Sequence, residues 1–204
     1  MNSDYEKKII IDTKTLPWEE CTHKHVFQKV LSTKDEAQTT LLKMEENALL
    51  NETSTLNSVE LFVLEGTYIN EFGEFKKGDY LRLPKEDESL VSTTQGCLVF
   101  RKTNYFNDNN HVIISTHASP WLKGQGHLEV MPLHEQTALV KWPKNEKFIP
   151  HKHWGGEEIF VLSGIFMDEH GQYPEGSWIR SPHLSEHFPY VEEETIIFVK
   201  TGHL

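Results

Sequence analysis

The side chains with the clearest capacity for chemistry stand in the segment HKHWGGEEIFVLSG, which begins at His151. Successive side chains of a strand point to opposite faces, so His151 and His153 point the same way. The Gly-Gly pair that follows can form a turn that brings Glu157 back toward them. The segment therefore predicts that two imidazoles and one carboxylate converge.

A third imidazole belongs to His187, which ends the later segment GSWIRSPHLSEH. A strand adjacent to the first segment could bring His187 to the same point. Imidazoles with a carboxylate suit Fe(II), Mn(II), Ni(II), Co(II) or Zn(II), and the sequence does not choose among these ions. We predict one divalent transition metal per chain as the cofactor, held by His151, His153, Glu157 and His187.

An internal repeat positions these residues. At an offset of 98 residues, Thr39–Lys102 aligns without a gap with Thr137–Lys200, and 17 of the 64 aligned positions are identical. The identities include three glycines and a proline, the residues that set tight turns, so the two halves should share one fold. Pro17-Trp18 resembles Pro120-Trp121 at an offset of 103, so the leading segments differ by an insertion.

Short runs rich in Val, Ile, Leu and aromatic residues lie between the turns, and no long stretch has helical periodicity. The prediction is an all-β protein made of two tandem barrels or jelly rolls. The polar stretch Asn104–Asn110 is the expected boundary, giving residues 1–106 as the repeat without a metal site and 107–204 as the repeat with one.

The first repeat has no equivalent of the site, because the positions aligned with the four predicted ligands are Thr53, Thr55, Val59 and Ser89. Such residues are poor ligands for a transition metal. The same alignment separates two neighbouring carboxylates. Glu158 aligns with Glu60 and is expected to be a packing or surface residue, whereas Glu157 aligns with Val59 and is the expected ligand.

Other histidines and the shared arginine have simpler interpretations. His23 and His25 repeat the HKH string, but no Glu and Gly follow at the same spacing, so a surface loop is expected. His183 is expected at the rim of the pocket, not as a ligand. Arg180 aligns with Arg82, which favours a structural role over catalysis.

Aromatic residues surround the predicted site in the sequence. Most are expected in the core, although some could line an apolar substrate pocket. They are Trp142, Phe148, Trp154, Trp178 and Phe188.

The first histidine segment resembles the first motif of the cupins, G-x5-H-x-H-x3-E-x6-G. The spacing from HKH through Glu157 to Gly164 is intact, and Asn145 stands in place of the leading glycine. This resemblance implies a cupin jelly roll that holds a metal.

The second cupin motif, G-x5-P-x-G-x2-H-x3-N, is matched by Gly176, Pro182 and His187. Leu184 replaces the motif's second glycine and Val191 its asparagine. These departures affect the shape of the loop and leave the ligand position intact.

Among cupins, HKHWGGEEIFVLSGIFMDEHGQYPEGSWIRSP is most similar to the ChrR-like domain of anti-sigma factors that respond to singlet oxygen and organic peroxides. In such factors a helical zinc domain with an H-x3-C-x2-C pattern binds the sigma factor. That pattern is absent from this sequence, so sigma-factor binding is not implied.

Two functions remain open. The first is a sensory module that binds a small molecule, a peroxide or an oxidised lipid at the metal. The second is an Fe(II) dioxygenase that cleaves a diketone or hydroxy-ketone, although the resemblance implies three histidines without the glutamate in such enzymes. The catalytic residues are then unassigned.

Composition limits the partners. With 20 basic and 31 acidic residues the formal charge is −11, the wrong sign for binding nucleic acid or an anionic membrane. The absence of a signal sequence, and the two cysteines without a CxxC spacing, lead us to expect a cytoplasmic protein. A small-molecule ligand is the expected partner, and a homodimer is compatible with these features.

Overall fold

The computed structural model describes residues 1–51, 57–85 and 90–204. It divides into two compact units. Unit 1 comprises Met1–Ser3 and Pro17–Ala118, and unit 2 comprises Asp4–Leu16 and Ser119–Leu204. No helix in the described residues is long and apolar enough to cross a membrane.

Strands account for nearly all of the regular structure that is described. From the N-terminus these are β1 (Ile9–Asp12), β2 (Glu19–Glu20), β3 (Val26–Lys34), β4 (Ala37–Met44), β5 (Leu49–Asn51), β6 (Val59–Asn70), β7 (Gly73–Lys76), β8 (Asp79–Leu83), β9 (Leu90–Ser92), β10 (Cys97–Thr103) and β11 (Val112–Ser115). The later strands are β12 (Leu122–Lys123), β13 (Glu129–His134), β14 (Thr137–Trp142), β15 (His151–Lys152), β16 (Glu157–Ser163), β17 (Ile165–Asp168), β18 (Gly171–Pro174), β19 (Ser177–Ser181), β20 (Glu186–His187) and β21 (Thr195–Thr201). One 3-10 helix spans Thr13–Thr15.

In unit 1 the main sheet has the strand order β11-β8-β6-β10-β4-β3-β2, with β5, β7 and β9 attached beside it. Its apolar core includes Leu61, Val63 and Val99, which are almost fully buried. Both cysteines are free thiols. Cys97 is buried, and burial raises its pKa to about 11, which leaves the thiol unreactive at neutral pH.

In unit 2 the main sheet has the order β1-β19-β16-β21-β14-β13-β12. Two short sheets, β15-β20 and β17-β18, belong to the same unit. The core cluster includes Trp142, Phe166 and Ile179. The predicted all-β class with tandem jelly-roll repeats is therefore confirmed.

The two halves agree strand by strand. At the predicted offset β6 corresponds to β16 and β17 together, β8 to β19 and β10 to β21. A β-bulge occurs at the equivalent residues Leu64 and Leu162, which the pairing skips. Gly66 and Gly164 both have positive φ, and a Cβ at either would meet a carbonyl oxygen of the neighbouring turn. A side chain cannot be accommodated at this turn, which explains why glycine recurs there.

The segments that precede the two repeats, which include β1 and β11, follow the offset of 103 residues. β1 pairs with β19 in unit 2, and β11 pairs with β8 in unit 1. Neither unit is thus one continuous stretch of sequence. The two units are defined by how residues pack, whereas the predicted boundary at residue 106 separates the two repeats of the sequence. The units therefore do not test that boundary, which stays a prediction.

Candidate metal centre

Three histidine side chains converge in unit 2. β15 and β20 pair antiparallel with His151 directly opposite His187, and His153 follows two residues later on the first of these segments. One imidazole nitrogen from each of the three lies within 4.8 Å of the other two. A single small ion could therefore be reached by all three.

Glu157 joins this cluster at the first residue of β16. Its Oε1 lies 3.2 Å from His153 Nε2, and its Oε2 lies 3.5 Å from His187 Nε2. The residue is buried, yet Oε2 receives no hydrogen bond from any described residue. A buried carboxylate oxygen without a partner lowers the stability of the fold, and a cation bound at this atom would offset that cost.

The imidazoles are held in defined orientations. His151 Nδ1 lies 3.0 Å from the carbonyl oxygen of Ile149, which favours a proton on Nδ1 and leaves Nε2 as an acceptor. The ring of His151 also packs edge-on against Phe148, with a centroid distance of 5.2 Å. His153 Nε2 and His187 Nε2 lie 3.4 Å apart.

Burial removes charge from the metal-free cluster. Desolvation, with the nearby histidines, lowers the pKa of His153 and of His187 to about 4. Desolvation raises the pKa of Glu157 to about 8. At neutral pH these imidazoles are neutral, which is the form that binds metal, whereas the carboxyl must lose a proton to become a ligand.

The predicted Gly-Gly turn is present and is tightly enclosed. Gly155 and Gly156 both have positive φ, and a Cβ at Gly155 would lie 2.6 Å from Gly202 Cα. Gly202 N donates to Gly156 O, and Leu204 N donates to Gly155 O. Gly202 and Leu204 thus hold the turn that places Glu157.

His183 supports the same turn from the other side. Its Nδ1 accepts a hydrogen bond of 2.9 Å from Gly155 N, and its exposed ring packs against Trp154. The side chain is tied to the turn and does not belong to the histidine cluster, as expected for a rim residue.

The surrounding aromatic residues divide into two groups. Trp142 and Trp178 are buried, and Phe148 is partly buried against His151. Trp154 and Phe188 are exposed. The expectation that most lie in the core therefore holds for the first group, while the second lies at the surface beside the cluster.

Three residues that the alignment of the repeats singled out are all buried. Glu158 is buried and accepts hydrogen bonds from Trp178 Nε1 and His203 Nε2, so it is a packing residue and not a surface one. Arg180 is buried, and its guanidinium donates to the carbonyl oxygen of Asp4. Val59 is part of the unit 1 core.

The remaining predicted positions lie elsewhere. His25 is exposed and faces Glu45, and no second cluster of metal-binding side chains is found among the described residues. Thr53, Thr55 and Ser89 lie outside the described residues.

One group near the site was missed by sequence reasoning. Asp168 is buried and accepts hydrogen bonds from Lys8 Nζ and Tyr173 Oη, and the charges of Lys8 and Asp168 act on the pKa of Glu157. Asn70 and Phe75 occupy the equivalent positions of the first repeat. The difference between the repeats at both positions could have drawn attention to Asp168 and Tyr173. Nothing in the local sequence could place Lys8 beside Asp168.

The donor set fits a divalent transition metal. Three imidazoles and one carboxylate converge, His153 and His187 are neutral at physiological pH, and one carboxylate oxygen has no protein partner. The fit does not distinguish Zn, Fe, Ni or Mn.

Comparisons with known proteins agree with this fold. No curated protein matches the chain. A candidate dioxygenase from Nostoc punctiforme shares the fold with a TM-score of 0.81 and 12% identity, over 96% of this chain and 82% of that one. A cupin 2 conserved barrel domain protein from Leptotrichia buccalis has a TM-score of 0.66 and 11% identity, over 95% and 96%.

The family profile described as the ChrR Cupin-like domain matches this sequence twice, over residues 6–107 and 109–204. The two matches cover both repeats and account for nearly the whole sequence. The chain therefore belongs to the ChrR cupin-like domain family and carries two copies of its domain.

Proposed function

We propose that this protein is a sensory module that binds a small molecule at one divalent transition metal, held by His151, His153, Glu157 and His187. The observation that carries the proposal is the convergence of three imidazoles on a buried carboxylate with an unpartnered oxygen. Family membership supports the metal, because the resemblance of both motifs covers all four residues.

The protein groups have separate roles in this proposal. His151 would bind through Nε2 while Nδ1 is held by the Ile149 carbonyl, and Glu157 would supply the one negative charge of the set. A divalent ion held by these four residues would supply Lewis acidity and one net positive charge, because only one of the four donors is anionic. An anionic or peroxidic small molecule is the class of ligand that such a centre would favour.

Sensing requires that ligand binding be transmitted to a partner. We expect that partner to be a separate protein chain whose association changes when peroxide or another small ligand binds.

The second candidate is an Fe(II) dioxygenase acting on a diketone or hydroxy-ketone. The description of the Nostoc punctiforme protein as a candidate dioxygenase supports it. The presence of Glu157 supports the sensor instead, because the resemblance associates such dioxygenases with three histidines alone.

Elemental analysis of the metal content and oxygen-electrode measurements together test both candidates. We expect one transition metal per chain, and no oxygen consumption by the Fe(II) protein with a panel of diketones. Two metals per chain would contradict a single site in the second repeat. Substrate-dependent oxygen uptake that is lost in His187→Ala would replace the sensor with the dioxygenase.

A further inference from the structure

Four large apolar side chains are exposed around the histidine cluster. Ile149 is 68% exposed, Trp154 77%, Leu184 43% and Phe188 44%. We refer to these four residues as the apolar collar. Exposed apolar side chains are common singly, but a group of them beside one site indicates a binding surface.

Contacts or adjacency in the sequence link each member of the collar to the segments that carry the cluster. The Ile149 carbonyl faces His151 Nδ1, and Leu184 N donates to His153 O at 3.0 Å. Trp154 packs on His183 at 4.6 Å between ring centroids, and Phe188 follows His187 directly. The collar therefore lies on the same two chain segments that carry the three histidines.

Leu184 is strained as well as exposed. Its φ is +59°, a left-handed conformation that is unfavourable for a branched side chain. The cupin motif has glycine at this position, which would relieve the strain. A residue that adds both strain and exposed apolar area beside a site is best explained by a contact that it makes with a ligand.

The donors of the cluster are largely buried. The side chains of Glu157 and His187 are 7% and 8% exposed, and that of His153 is 21% exposed. Donors buried to this extent favour the head of a small molecule over a flat protein surface or a lipid bilayer. The net charge of −11 also disfavours an anionic membrane.

We propose that the apolar collar selects a small molecule with a carboxylate head and an extended apolar body. The head would meet the positive charge of the metal centre, and the body would cover the collar. This inference rests on the proposed function, since the carboxylate is matched to the metal.

The test uses Zn(II)-loaded protein and a series of straight-chain carboxylates from acetate to octanoate, with affinity measured by calorimetry. The affinity is expected to rise about two- to fourfold for each added methylene until the collar is covered. Leu184→Gly and Trp154→Ala should each flatten this dependence while the zinc content stays at one per chain. Leu49→Ala is the matched control, because Leu49 is 57% exposed in unit 1 and should leave the series unchanged.

The outcomes separate this inference from the proposed function. Zinc binding without any dependence on chain length would overturn the collar and leave the metal centre standing. Failure to bind zinc would remove the metal centre itself. An equal chain-length dependence in zinc-free protein would mean that the apolar surface binds without the metal. An undiminished dependence in both collar variants would mean that the collar is not the surface that the apolar body covers. Either result would overturn the proposal.

Discussion

The two repeats preserve the same buried polar framework, in which one hydrogen-bond donor differs. Tyr80 Oη donates to Glu60 in the first, and Trp178 Nε1 donates to Glu158 in the second, each at 2.7 Å. The bonds Lys102–Thr39 and Lys200–Thr137 are likewise equivalent, at 3.0 and 3.1 Å. Buried polar bonds of this kind are retained because an unpaired buried group is costly.

The repeats differ at the position that begins the long central strand. Val59 and Glu157 have equivalent partners in the neighbouring strands, and both are buried. One is a member of an apolar core and the other is a carboxylate with an unpartnered oxygen. The same backbone can thus hold either residue, so the proposed metal site would be an addition to a fold that the first repeat forms with valine at this position.

The largest effect is expected from the histidines that distinguish the second repeat. Replacing His151 and His153 together with alanine removes two of three imidazoles and should abolish metal binding, measured as metal per chain after dialysis. The matched control replaces His23 and His25, which repeat the same HKH string in unit 1. Equal loss from both double variants would show that the wrong pair was identified.

A second prediction exchanges the residues that distinguish the two positions. In metal-free protein Glu157→Val should raise the free energy of unfolding by about 1–3 kcal/mol, because it removes a buried carboxyl that has no cation. Val59→Glu should lower it by about 2–4 kcal/mol for the converse reason. Urea denaturation in the presence of a chelator measures both.

The two exchanges must differ in sign. If Glu157→Val instead destabilised the metal-free protein as much as Val59→Glu does, Glu157 would be a structural residue that stabilises the barrel without metal. The comparison between the repeats would then lose its meaning.

Much of this arrangement was predictable because its determinants are local. The recurring glycines and prolines fix turns wherever they occur, and the spacing of His151, His153 and Glu157 follows from strand alternation and a Gly-Gly turn. At Gly66 and Gly164 the structure shows that glycine is required because a side chain would not fit. The sequence alone shows only that the two residues are identical.

The rest depends on contacts between distant segments. Nothing local indicates that β1 pairs with β19, or that Lys8 reaches Asp168 across 160 residues of sequence. The exposure of Trp154 was also not predictable, because it lies in a turn where strand alternation does not apply. The burial of Glu158 depends on partners at Trp178 and His203 that only the folded chain brings together.

The smallest effect concerns how metal affinity varies with pH. Burial raises the pKa of Glu157 to about 8, so in metal-free protein its carboxyl is mostly protonated at pH 6. Metal binding must release this proton, and the Kd for Zn(II) should fall about tenfold for each unit of pH up to about 8, then level off. His153 and His187, with pKa values of about 4, are neutral throughout and add no slope.

Paired variants assign this slope to one carboxyl. Glu157→Gln should weaken Zn(II) binding about 10- to 100-fold at pH 8 and reduce its dependence on pH between 6 and 8, because the proton of the Glu157 carboxyl is then no longer displaced. Glu158→Gln keeps Glu157 intact and should retain the slope, although the hydrogen bond from His203 is altered. Competition with a chelator of known affinity at each pH measures both variants. A pH dependence that survived in Glu157→Gln but vanished in Glu158→Gln would transfer the ligand role to Glu158. The ligand would then be the carboxylate that both repeats contain, and not the one that distinguishes the second repeat from the first.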